Sequence, residues 1–274
     1  MKLTIGMATY DDFDGLFFTI QAFRINHSVE NVEFVVIDNN PDGPHGKDNR
    51  GFVENWVKGK YIPYREKKST SSRNEIFKHA TGDYTLCVDS HVVIEPNGIQ
   101  NLMDYYTKNP DTKNLVQGPL WYDDLKNVST HFKPEWRDIM YGTWATDKEN
   151  YEKGEPFEIP MMGLGLFSCK TSNWVGFNDK FKGFGGEEGY IHEKFRQNGG
   201  KCICLPNLRW NHRFARPNGI PYPNNLEDRV WNYFVGGMEL YKDKNHPFIQ
   251  DAIACFSQKL PQPVIINILN NVAR

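Results

Sequence analysis

Long apolar runs are missing from this sequence, and so is an excess of either charge. No stretch is hydrophobic for the roughly 20 residues that a membrane-spanning helix needs, and Met1 to Met7 is too short for a signal peptide's apolar region. A cytoplasmic location is the expectation. Cysteine is sparse: Cys87, Cys169, Cys202, Cys204 and Cys255 include no Cys-x-x-Cys pair and fall short of a disulfide scaffold's density, so reduced thiols are expected. With 32 Lys and Arg against 34 Asp and Glu, the net charge of -2 leaves no global basic footprint. That argues against nonspecific nucleic-acid binding, although a local basic groove stays possible. No linker divides the 274 residues, which are enough for one large α/β domain, with or without a small appendage.

What the sequence contains is an alternation. Residues 3–8 form an apolar run closed by Thr9, Tyr10, Asp11 and Asp12, which predicts a strand opening onto polar residues. Phe13, Leu16, Phe17, Ile20 and Phe23 then recur at helical spacing, with Asp12 or Asp14 available as N-cap. Residues 32–38 predict a second strand that ends on Asp38, before the turn Asn39-Asn-Pro-Asp-Gly-Pro. A short helix over 51–58, a brief strand over 61–64 and a helix from Ser69 through Arg73, closed by Gly82, come next. After a strand from Tyr84 follow a helix from Pro96 to about Asn109 and a strand at 115–117. This spacing predicts a mostly parallel sheet with ligands beyond the strands' carboxyl ends, the rim where Asp11, Asp38 and Asp89 would lie.

Residues 119–158 show no clear period, and a segment of that length inside a domain is usually functional or mobile. Strand character returns over 160–169, and a glycine-rich turn from Lys182 runs into a helix ending at Asn198-Gly-Gly. A strand over 201–205 and a helix over 226–241 follow, while residues 243–274 show no chemistry.

The chemistry concentrates at Tyr84-Thr-Leu-Cys-Val-Asp-Ser-His-Val-Val-Ile-Glu95, where a buried strand delivers a carboxylate and an imidazole that gain nothing by being apolar neighbours. Asp89 and His91 are two apart, so extended chain would point both at one ion. His212, in a predicted loop, is free to be a further ligand. Glu187 and Glu188 fall in a first helical turn, where capping and the helix dipole explain acids without catalysis. Asp38 caps its turn as readily as it binds a ligand, and Arg73 reads equally as a solvated helix residue.

Asp89-Ser-His91, Pro160-Met-Met-Gly-Leu-Gly-Leu-Phe167, Phe184-Gly-Gly-Glu-Glu188 and Asn211-His-Arg-Phe214 occur in the order and rough spacing of nucleotide-sugar glycosyltransferases of the GT-A fold. The chain resembles family 2 enzymes overall. Its Asp-Ser-His and Gly-Gly-Glu elements look most like polypeptide N-acetylgalactosaminyltransferases, and its glycine-rich turn is similar to that of β-1,4-galactosyltransferases. The resemblance covers residues 3–215 and implies a Rossmann-like, mostly parallel mixed sheet flanked by helices. It also implies a nucleotide half over 1–95, an acceptor half over 96–215, and a mostly helical extension over 216–274 packed on the same domain.

The same resemblance assigns roles. Asp89, His91 and His212 would hold a divalent cation, and two imidazoles with one carboxylate suit Mn²⁺ better than Mg²⁺. Thr9, Tyr10, Asp11 and Asp38 would form the nucleoside pocket of a UDP-sugar, with Arg73 facing the donor. Inverting family 2 enzymes take the acceptor proton with the second acid of the pair, here Glu188, leaving Glu187 for donor-sugar hydroxyls. The retaining N-acetylgalactosaminyltransferases carry asparagine where this chain has Glu188, so the stereochemical outcome stays open. A noncatalytic nucleotide-sugar or glycan-binding module is the alternative, and a metallohydrolase lacks its further His/Asp cluster. The acceptor is open among a glycan, a protein and a hydroxymethylated DNA base. The last would want a basic groove such as Lys67, Lys68, Arg213 and Arg216.

Overall fold

A computed structural model describes residues 1–66, 69–216 and 219–273. Its first half is built on three strands, β1 (Leu3–Thr9), β2 (Val32–Asp38) and, from the 84–95 stretch, a strand over Tyr84–Asp89. Their side chains are buried almost throughout, as expected of parallel strands covered on both faces. Helix α1 (Phe13–Asn26) follows β1 with Asp12 as N-cap, accepting from the Gly15 amide. After β2, helix α2 (Gly46–Gly51) widens into a π-helical turn over Phe52–Val57, where the sequence predicts one short helix, and β3 (Lys60–Pro63) completes this edge. A 3₁₀ turn at Thr70–Ser72 leads into α3 (Arg73–His79), which lies directly on β1: a Cβ at Gly6 would fall 2.0 Å from Ile76 Cγ2. The α3 helix ends at Ala80, two residues before the expected Gly82.

The next strand, β4 (Tyr84–Asp89), stops at Asp89 and the chain turns at Ser90 and His91 before β5 (Val92–Ile94), which belongs to a different sheet. The expected extended run through His91 is therefore corrected to a corner. Helix α4 (Gly98–Lys108) starts after Asn97 rather than at Pro96, and β6 (Leu115–Gln117) falls where expected.

The segment without a sequence period is folded. It contains β7 (Leu120–Trp121), β8 (Val128–Ser129), the hairpin of β9 (His131–Arg137) and β10 (Met140–Ala145), helix α5 (Lys148–Lys153) and β11 (Phe157–Glu158). A register shift between Tyr141 and Thr143 breaks the hairpin's alternation, which hides it from a period-two search. Strand β12 (Leu166–Lys170), helix α6 (Glu188–Gln197), β13 (Cys202–Cys204) and β14 (Trp210–His212) follow. His212 thus ends a strand instead of lying in a loop.

The large sheet has the order β11-β13-β6-β12-β4-β1-β2-β3. Strand β12 lies antiparallel between β4 and β6, and β11 is antiparallel to β13; the remaining neighbours are parallel. A second sheet, β5-β14-β7-β8, stands at the carboxyl end of β4. Helices α7 (Leu226–Tyr241), α8 (Pro247–Phe256) and α9 (Gln262–Val272) enclose a smaller core around Phe234, Ile249, Phe256 and Ile265. All five cysteines are free, and no helix among the described residues is long and apolar enough to cross a membrane.

Candidate active site

A cavity of about 700 Å³ opens where β1 and β4 end, between the small sheet, the β9–β10 hairpin and the glycine-rich loop. Its geometry begins with one pairing. Antiparallel β14 runs beside β5 with His212 opposite Val92, and the Arg213 amide donates to the His91 carbonyl at 3.1 Å. Two imidazoles distant in sequence are thereby brought to the end of β4. Ligand atoms of Asp89, His91 and His212 all lie within 4.8 Å of one another. His91 Nε2 stands 3.1 Å from His212 Nε2, which is 3.5 Å from Asp89 Oδ2.

This set fits a divalent cation by its donor chemistry. His91 Nδ1 lies 2.9 Å from Asp12 Oδ2, an arrangement in which Nδ1–H donates to the carboxylate and leaves the Nε2 lone pair facing Asp89 and His212. Arg213 Nη2 donates to both Asp12 oxygens at 2.7 Å. Burial pushes Asp12 upward, but the His91 and Arg213 hydrogen bonds outweigh it and hold the carboxyl well below the usual carboxylate range. Burial drives His91 the other way, below its ordinary value, favouring the neutral ring that a metal requires. Asp12 was visible in the sequence only as a cap. Its position directly after the first strand was the available signal for its second task.

Arg73 connects this cluster to the acids of α6. It opens α3, is 7% exposed, and brings Nη2 to 3.4 Å from Asp89 Oδ1. Burial raises Asp89, yet the Arg73 charge and the two imidazoles prevail and keep it ionised far below its ordinary value. Arg73 Nη1 has no hydrogen-bond partner, nor does the buried Glu187 Oε2. Burial and the neighbouring Glu188 charge push Glu187 up to about 8, with Arg73 opposing. Glu188 is also raised by burial, against the Arg73 and Arg229 charges.

The acids are presented by a loop held from behind. Asn232, fully buried on α7, accepts from the Lys182 amide at 2.7 Å and donates to the carbonyls of Lys182 and Gly185 at 2.6 and 2.8 Å. Gly185 has φ +98, and a Cβ there would lie 2.7 Å from Arg229 Nε, so two independent constraints favour glycine. Nothing in the 226–241 sequence beyond helical spacing announced this contact.

Of the residues expected to form the site, Thr9, Tyr10 and Arg73 line the cavity together with Asp89, His91, His212 and Glu188. Asp11, Asp38 and Glu187 do not. Asp38 is fully buried and accepts from the Asn40 amide (2.9 Å), Asn49 Nδ2 (3.0 Å) and Tyr61 Oη (2.9 Å), so its carboxylate serves the β2 turn rather than the rim. Asp11, at φ +47, accepts from Asn40 Nδ2. Asn39 and Ser72 reach the wall instead, tied by an Asn39 Nδ2 to Ser72 Oγ bond of 2.7 Å. In the expected basic groove, Arg213 is engaged with Asp12 and Arg216 with His91 at 2.8 Å; Lys67 and Lys68 lie outside the described residues.

Residues 4–169 match the model of glycosyl transferase family 2. The chain belongs to that family. The chain is similar in structure to GalNAc-T7 solved with UDP, GalNAc and Mn²⁺, at 18% identity and a TM-score of 0.73, over 98% of this chain and 53% of that one. It is also similar to residues 1–349 of S. aureus TarS in complex with UDP-GlcNAc, at 15% identity and a TM-score of 0.60, over 99% and 80% of the two chains. A third likeness is to the mannosyltransferase PcManGT from Pyrobaculum calidifontis in complex with GDP-Man and Mn²⁺, at 15% identity and a TM-score of 0.58, over 99% and 73%. The chain spans about half the length of the GalNAc-T7 chain. These likenesses show the fold, and the mixed sheet described above is that of GT-A glycosyltransferases. No curated protein matches the sequence.

Proposed function

We propose that this glycosyltransferase moves a sugar from a UDP-sugar to an acceptor hydroxyl with the help of Mn²⁺. The observation that carries the proposal is the convergence of Asp89, His91 and His212 on the same cavity wall that receives Glu188. Two imidazole nitrogens and a carboxylate oxygen form a donor set suited to manganese. Asp89, His91 and His212 would hold the ion, which supplies charge neutralisation at the donor's diphosphate as the leaving group develops. The UDP and Mn²⁺ bound by GalNAc-T7 support the same assignment.

Within this reading the protein's own groups divide the work. Thr9, Tyr10 and Asn39, at the ends of β1 and β2, border the nucleoside end. Arg73 keeps Asp89 ionised and faces the donor. Burial raises both Glu187 and Glu188, so the pair holds a proton more readily than an exposed carboxylate would. Glu188, the acid of the pair that lines the cavity, takes the acceptor hydroxyl's proton as that oxygen bonds to the anomeric carbon and the bond from that carbon to the UDP oxygen breaks, releasing UDP. Direct attack predicts inversion. The aromatic side of the cavity, with Phe132, Tyr141 and Trp144 from the β9–β10 hairpin, offers flat apolar surfaces to the acceptor.

Transfer or donor hydrolysis measured with UDP-sugars should require Mn²⁺ and be lost in Asp89→Ala. Glu188→Gln should lower transfer about 10²–10⁴-fold with UDP binding retained. Full activity in either variant would overturn these assignments.

A further inference from the structure

Arg216 lies just beyond β14, outside the sequence matched by the family model, and makes the closest polar contact to His91 Nε2 in this site. Its Nη2 is 2.8 Å from that nitrogen, closer than His212 Nε2 at 3.1 Å. A guanidinium only donates, so the contact uses the imidazole's lone pair. His91 has no second lone pair to offer, because Nδ1 is committed to Asp12.

We propose that Arg216 is an internal competitor for the metal site, its guanidinium and a divalent cation claiming the same lone pair on His91. The proposal rests on the metal assignment above. Arg216 is held in this place by a support of its own. Nη1 donates to Tyr222 Oη at 3.1 Å, and the guanidinium carbon lies 5.6 Å from the Tyr222 ring centroid. Tyr222 in turn packs on Phe184 of the glycine-rich loop, with ring centroids 5.3 Å apart. A metal ion that takes the His91 lone pair must break the Arg216 bond and displace a like charge. Arg216 therefore lowers the site's affinity for divalent cations and sets the concentration at which the site fills.

The test is Mn²⁺ binding in the absence of nucleotide, read from the electron paramagnetic resonance of free Mn²⁺, with no activity measurement involved. Arg216→Met should bind Mn²⁺ about tenfold more tightly than the wild type, the factor expected for removing one charge-assisted hydrogen bond. Tyr222→Leu, which removes the support and leaves Arg216 in place, should tighten binding by a smaller factor of about two to three. Equal or weaker Mn²⁺ binding by Arg216→Met than by the wild type overturns the competition. No Mn²⁺ binding by either protein overturns the metal assignment itself.

Discussion

Asp12→Asn separates two tasks that one carboxylate performs. As N-cap of α1, Asp12 accepts from the Gly15 amide at 3.2 Å, and asparagine caps about equally well. As the partner of His91, it fixes the ring's tautomer through the 2.9 Å contact at Nδ1. The substitution keeps size and cap but removes the charge that stabilises the Nδ1–H. Its salt bridge to Arg213 involves a side chain 42% exposed, so losing that pair should cost at most about 1 kcal/mol. Losing a carboxylate behind a metal-binding histidine typically weakens metal binding about 10–100-fold. Asp12→Asn should therefore bind Mn²⁺ about 10–100-fold more weakly by calorimetry, with its urea-unfolding free energy within about 1 kcal/mol of wild type. Asp12→Ala should lose a further ~1 kcal/mol with the cap. Unchanged Mn²⁺ affinity in Asp12→Asn would refute the orienting role.

Two other predictions concern the acids of α6. Glu187 has a folded pKa of about 8 against an ordinary 4.5, so between those values the native state keeps a proton that the unfolded chain has lost. Stability should decline as pH rises through that window, and Glu187→Gln should flatten the decline in urea unfolding measured from pH 5 to 8; an unaltered slope would place the titrating group elsewhere. Asn232→Ala strands the Lys182 amide and the Lys182 and Gly185 carbonyls and should cost about 2–3 kcal/mol. Its kcat should fall by more than its KM rises, because the loop presenting Glu188 loses its support.

The parts of the fold that could be read from sequence are those with continuous local signals. Strands β1, β2 and β4 are apolar runs because both faces are covered, and α7 falls where the spacing of its buried residues places it. Asp89 was legible for the same reason, a charge that interrupts such a run. The pairing of β5 with β14 was not, since two three-residue strands far apart in sequence carry no periodic signal, and it is that pairing which brings His212 to His91. Asp38 illustrates the converse. Its place at a strand end and the family resemblance suggested a ligand at the rim, while Tyr61 and Asn49, remote in sequence, turn the carboxylate inward. The role of Asn232 is hidden likewise, because a polar residue in a helix looks solvated until the loop it holds is seen.

The most direct test of the metal assignment is a crystal soaked in Mn²⁺ and measured at the manganese absorption edge. An anomalous peak bounded by Asp89 Oδ2, His91 Nε2 and His212 Nε2, absent in Asp89→Ala, is the predicted result. A peak elsewhere, or none at manganese concentrations that support transfer, would contradict it.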